Sequence, residues 1–158
     1  MTGPADLGDP LVLWERRRIA APAHEIFEVL RDPRRHREID SSGMVRTTDA
    51  SPIAAVGDAF VMSMHNDMFG DYEMRSEVVA FVPDQVIAWA PKRHDVVEDS
   101  WDHRWGWLLE PDGGATEVTA YYDCSRVPEE GLRILRNGEM WRPVLEQSLE
   151  KLEALVVP

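Results

Sequence analysis

Aromatic rings and thioethers are the groups in this sequence that recur at a chemically useful spacing. Six Trp and seven Met stand among 158 residues, Met1 being merely the start. Phe60, Met62 and Met64 alternate with Val61, Ser63 and His65; Trp105, Trp107 and Leu109 alternate in the same way, and Val118, Ala120, Tyr122 and Cys124 follow at the same period. A period of two sends alternate side chains to one face of a strand. On that rhythm Phe60, Met62, Met64, Met74, Trp89, Trp105, Trp107 and Tyr122 share one face. Such a wall offers flat contact to rings, and methionine adapts to irregular shapes. The competing reading of any one of these residues is a filled core. The set resists that reading, because a buried indole N–H needs a partner and packing alone rarely selects so many Trp.

Polar groups near that wall are fewer. Tyr122 has a hydroxyl to offer a ligand oxygen. Ser76 and Ser148 lie on apolar stripes, one on a strand and one on a helix, where each leaves room and offers a hydrogen bond. For Ser148 a bond back to its own helix carbonyl is the preferred reading. Proton shuttling or carbonyl polarisation would need a Tyr, Arg, His or acid. His65, Tyr72, Arg75, His103, Arg104 and Asp123 are available, and alternation turns most of them outward, so no catalytic residue is assigned. His36 and Asp40, four apart, have a spacing that can bind metal. No second pair supports a metal, and a surface or gate role is preferred. His24 reads as exposed on the first helix, and His94 sits in a polar loop. Cys124 would be a nucleophile only beside a base in a polar cleft; a small buried apolar role fits it better. The sequence has no GxSxG elbow, phosphate-binding glycine loop, HExxH or CxxC pair.

These side chains need elements to hold them. Residues 1–10 read as a loose, flexible arm, and 11–158 as one domain. A strand over Leu11 to Ile19 gives way at Pro22 to a helix with Ile26, Phe27 and Leu30 on one face. Asp32-Pro33 stops it, and Arg34 to Ile39 forms a second short helix. Six strands are then expected: Met44 to Thr48, Phe60 to His65, Tyr72 to Phe81, Val86 to Pro91, Trp105 to Leu109, and Val118 to Cys124. Pro83-Asp84-Gln85 and Pro111-Asp112-Gly113-Gly114 mark turns, and 92–100 a polar loop. Trp141, Leu145, Ser148, Leu149, Leu152 and Val156 trace one helical stripe, about 22 Å long from Trp141 to Leu155. Asn137-Gly138 implies either a separate short helix over 129–136 or a kink. Consecutive strands with tight turns imply an antiparallel sheet, whose apolar face must be covered. Only the C-terminal helix is long enough to cover it. Residues Trp141, Leu145 and Ser148 then face the sheet across a gap.

Composition bounds the partners. Apolar residues make up 44% of the chain, which argues against disorder. Seventeen Lys and Arg against 29 Asp and Glu leave a net charge of −12. That sign disfavours nucleic acid and anionic membranes. The basic runs Arg16-Arg17-Arg18 and Arg34-Arg35-His36-Arg37 read as solvated, salt-bridged faces. One cysteine allows no internal disulfide, which fits a reducing cytoplasm. The first ten residues do not resemble a signal peptide, and no stretch approaches the roughly 20 apolar residues of a membrane span. A cytoplasmic monomer or homodimer is expected.

Several phrases carry a resemblance: ERRRIAAPAHEIFEVLRDPRRHREID (Glu15 to Asp40), SSGMV (Ser41 to Val45), VGDAF (Val56 to Phe60), GDYEM (Gly70 to Met74), VVAFVPDQVIAW (Val78 to Trp89) and RWGWLLEPDGGATEVTAYYD (Arg104 to Asp123). In this order they resemble the START-like, or SRPBCC, superfamily, which includes the birch-pollen allergen, and within it the bacterial polyketide cyclase/dehydrase type of stand-alone domain. The resemblance implies an α+β helix-grip fold, a curved antiparallel sheet of about seven strands around a long C-terminal helix. It implies a deep apolar pocket between them, entered near the first two helices, and no metal or organic cofactor. Ligand-lining positions are then expected at Phe60, Met62, Met64, Met74, Ser76, Trp89, Trp105, Trp107, Tyr122, Trp141, Leu145 and Ser148. The leading function is binding or transport of a small hydrophobic molecule, whether lipid, aromatic or polyketide-like. The alternatives are a polyketide aromatase/cyclase or dehydrase using the same cavity, and a protein-interaction domain of chaperone-activator type.

Overall fold

The computed structural model describes residues 3–93 and 101–158. Strand β1 (Val12–Ile19) leads through Pro22 into helix α1 (Ala23–Leu30). The side chain of Asp32 accepts a hydrogen bond from the Arg34 amide and starts a 3₁₀ turn, Pro33–Arg35, which passes into the single-turn helix α2 (His36–Ile39). Strands β2 (Ala59–Asn66), β3 (Gly70–Val82), β4 (Val86–Arg93), β5 (Arg104–Asp112) and β6 (Ala115–Asp123) follow, then helices α3 (Glu129–Leu135) and α4 (Arg142–Val156). The sheet is antiparallel in the order β1-β6-β5-β4-β3-β2.

Among the described residues the sheet has six strands, where the sequence led us to expect about seven. The expected strand at Met44 to Thr48 runs beside β2 but forms only one bridge, Val45 to Met64. Its hydrogen bonds to β2 involve Met44, Arg46 and Thr47, while Thr48 uses its hydroxyl on the Val61 carbonyl instead of a backbone rung. Side-chain competition for the ladder therefore ends regular pairing. At the other boundary, Lys92 and Arg93 belong to β4 rather than to the loop; the rest of that loop, His94 included, lies outside the described residues.

Alternation sorts the sheet into two faces. One packs with α1, α2 and α4 around Ile19, Ile26, Leu30, Val118, Leu149 and Leu152. The other gathers Val12, Val79, Ala80, Ala88, Ala90 and Tyr121. A register shift between Val78 and Ala80 puts Val79 out of step, a bulge that bends β3. Of the arm expected over residues 1–10, Ala5 and Leu7 pack on the second face, and the Gly3 amide donates to the Val79 carbonyl. That face is apolar and required a cover.

Helix α4 is separate from α3. Asn137 and Gly138 have φ of 54° and 92°, which breaks the helix between them. A Cβ on Gly138 would meet Leu13 and Cys124, so glycine serves both the backbone angle and the close approach. Pairs between Arg17 and Glu153 and between Arg142 and Glu15 tie α4 to β1. Lys151 and Ser41 tie it to the segment after α2, donating between them to the Asp40 and Val144 carbonyls. The two basic runs are largely engaged in such surface pairs, among them Arg16 with Glu117, Arg18 with Asp112 and Arg35 with Glu38.

Candidate functional site

The gap between the sheet and α4 is a real cavity, of about 210 Å³. Its floor is built from paired rungs. Phe60 lies opposite Ser76, Met62 opposite Met74, and Met64 opposite Tyr72 on β2 and β3. Trp89 lies opposite Trp105 across β4 and β5, and Trp107 opposite Ala120 across β5 and β6. Helix α4 supplies Trp141, Val144, Leu145 and Ser148, while α2 and the residues after it supply His36, Ile39, Asp40 and Met44. All of these residues line the cavity.

Eleven of the twelve positions expected from the sequence therefore border one space: Phe60, Met62, Met64, Met74, Ser76, Trp89, Trp105, Trp107, Trp141, Leu145 and Ser148. Tyr122 does not. It is wholly buried behind Trp105, with ring centroids 4.5 Å apart, and its hydroxyl meets His103 Nδ1 at 2.6 Å. Burial pushes the Tyr122 hydroxyl well above the usual phenol range, so it stays protonated. Its hydrogen bond is spent on His103, the residue that reaches the cavity in its place.

Three residues outside the expected lining set also border the space. Tyr72 has the same parity on β3 as Met74 and Ser76, so the alternation that placed those two also places it. His103 stands two residues before Trp105, just outside the regular strand, and shares its face. His36 is not a surface residue. It is buried, stacked on Trp89 at 4.7 Å and 17°, and edge-on to Phe60 at 5.5 Å. Desolvation lowers its pKa to about 4, so the ring is neutral at pH 7. Among the described residues no group of three His, Cys, Asp or Glu could hold a metal ion.

The remaining polar groups are subdued. The Asp40 carboxylate accepts from the Ser42 amide and hydroxyl and from the Val45 amide, so it is already solvated by the chain. The Ser148 hydroxyl makes no bond back to its helix, contrary to the reading preferred from sequence; among the described residues neither it nor Ser76 has a hydrogen-bond partner. Among the described residues Trp141 Nε1 is buried without a partner, a state worth about 1–3 kcal/mol of unfavourable desolvation. Cys124 is fully buried, donates to the Leu11 carbonyl, and has its thiol pushed up to about 11 by desolvation. It is no nucleophile at neutral pH.

The family described as "Polyketide cyclase / dehydrase and lipid transport" matches residues 13–157. The chain belongs to that family. An uncharacterised protein of Mycobacterium tuberculosis is 38% identical over 108 residues, 66% of this chain and 44% of that protein. The chain thus matches less than half the length of that relative. Solved structures share the architecture at low identity. A protein of Chromobacterium violaceum superposes with a TM-score of 0.70 at 20% identity, covering 95% of this chain and 99% of that one. A protein of Arthrobacter aurescens gives 0.73 at 14%, covering 97% and 89%. The di-domain ARO/CYC protein StfQ of the steffimycin biosynthetic pathway gives 0.66 at 15%, covering 92% of this chain and 50% of StfQ. The helix-grip fold is common to all of them. Among the described residues no helix is long and apolar enough to cross a membrane.

Proposed function

We propose that this chain binds a small, uncharged hydrophobic molecule between the sheet and α4. The observation that carries the reading is the wall itself. Four tryptophans and four methionines border one space, and the histidine stacked into it is neutral. Aromatic faces and thioethers hold apolar ligands by area and adapt to their outline, while a charged guest would lose hydration there without a counter-ion. Sites of this composition, with few polar groups, are typical of small-molecule binding. The family's association with lipid transport points the same way.

Tryptophan emission tests this directly, because Trp89, Trp105, Trp107 and Trp141 all border the space. Titration with a panel of neutral ring compounds and single-chain lipids is expected to quench or shift that emission saturably. Trp107→Ala is expected to weaken the best compound by about tenfold, in line with loss of a buried aromatic contact. A panel that leaves emission unchanged removes the proposal.

A second reading, cyclisation or dehydration in the same cavity, is favoured by one arrangement. His103 reaches the wall with its Nδ1 fixed by the protonated Tyr122 hydroxyl. An oriented imidazole is the usual proton shuttle at neutral pH. His103→Gln would then abolish turnover of a bound poly-carbonyl compound while sparing its affinity; equal turnover by the variant excludes that role.

A further inference from the structure

His36 has two ring nitrogens, and the fold uses one of them. Nε2 lies 2.9 Å from the Leu30 carbonyl oxygen. A carbonyl only accepts, so Nε2 carries the proton and donates. The ring is neutral, because burial disfavours its charged form. Nδ1 is therefore an unprotonated lone pair that can accept and cannot donate. It has no partner among the described residues. The residue is 6% exposed and forms part of the cavity wall. One ring face is covered by Trp89 and Phe60 packs at an edge, so the ring is held in orientation. Of the two nitrogens on this wall residue, Nδ1 is the one left unpaired.

We propose that His36 Nδ1 is the hydrogen-bond acceptor that selects the ligand, so that the cavity prefers an uncharged ring compound bearing a hydroxyl or N–H donor. The inference rests on the binding function proposed above and names the chemistry of its guest. The two cavity serines do not impose this choice, since a hydroxyl donates or accepts as needed. Nδ1 has no such freedom. A guest presenting only an acceptor to it would leave two lone pairs facing each other, a mismatch that sites built on fixed polar groups reject strongly.

The experiment compares 2-naphthol with 2-methoxynaphthalene, which keeps the ring system and oxygen but lacks the donor. Calorimetric titration at pH 7 is expected to give at least fivefold tighter binding of the naphthol to the parent protein. In His36→Phe, which keeps a ring against Trp89, that preference should vanish, the ratio of the two affinities falling to about one. Should the variant fold poorly, the parent alone decides. Its two-bond ¹H–¹⁵N spectrum should show His36 protonated at Nε2, with the Nδ1 resonance moving on addition of naphthol and holding still with the ether. Equal affinities, a preference that survives in a folded variant, the opposite tautomer, or equal responses to both probes would overturn the assignment and leave the apolar cavity standing. Failure of both probes to bind overturns the assignment together with the binding function for small rings.

Discussion

At the scale of single residues, His36 has a consequence separable from any ligand. Its pKa is about 4 in the fold against about 6.5 for a free imidazole side chain, so the unfolded chain takes up a proton that the folded chain refuses. The stability this provides is complete above pH 6.5. It drains away as pH falls towards 4, a total of about 3 kcal/mol for a shift of this size. Urea titrations between pH 7 and 4 should show the parent losing that much more stability than His36→Phe, which has no proton to gain. Parallel pH profiles for the two would rule out the buried neutral imidazole. The residue scale is also where the sequence was least legible. Nothing local marks His36 for burial: it opens a four-residue helix within a basic run, and its stacking partner Trp89 belongs to a distant strand. Tyr72 was legible by parity with Met74 and Ser76. The Tyr122 error has a plain cause, since alternation gives the face of a strand but not which neighbour will stand in front. Here His103 and Trp105 do so.

Elements were more legible, because they depend on repeating signals. The period of two gave the strands that carry the wall, and the stripe from Leu145 to Leu152 gave α4. Pairing details escaped. The bulge at Val79 leaves no mark in hydrophobicity, since Val78, Val79 and Ala80 are all apolar and all buried. The irregular edge after Met44 depends on the Thr48 hydroxyl. Gly106 is an element-scale constraint of another kind. It stands opposite Tyr121, whose ring lies where a Cβ on Gly106 would have to go. Tyr121 is 2% exposed and cannot swing out without uncovering the second sheet face. Gly106→Val should therefore cost about 1–3 kcal/mol through overpacking, read as a lowered denaturation midpoint. A double variant, Gly106→Val with Tyr121→Leu, should recover part of that loss. A single variant as stable as the parent would show that the ring has room to move.

For the molecule as a whole, the two sheet faces have different covers. Helices close one and leave a cavity; the segment before β1 closes the other with Ala5 and Leu7. Leu7→Asp should uncover part of Val79, Ala80 and Ala88 and cost about 1–2 kcal/mol. Ligand-induced changes in tryptophan emission should persist in that variant, because Leu7 lies on the opposite side of the sheet from Trp89, Trp105 and Trp107. Loss of the emission change in a variant that remains folded would mean the faces are coupled. The overall architecture was foreseeable from the order of signals along the chain. Whether the middle of it would be filled or open was not, since the same alternation serves a packed core and a lined hollow; only the summed side-chain volumes against α4 decide.

The sheet order also sets a timetable. Strand β1 pairs along its whole length with β6, Val12 meeting Asp123 about 110 residues further on. On a translating ribosome the earliest strand would emerge without its neighbour, while β2 to β5 could assemble as successive hairpins. Loop closure over that distance is slow compared with local pairing, so the edge of β5 that belongs to β6 would stay open in the interim. Strand Val12–Ile19 would wait unpaired in the same period, until synthesis passes Asp123.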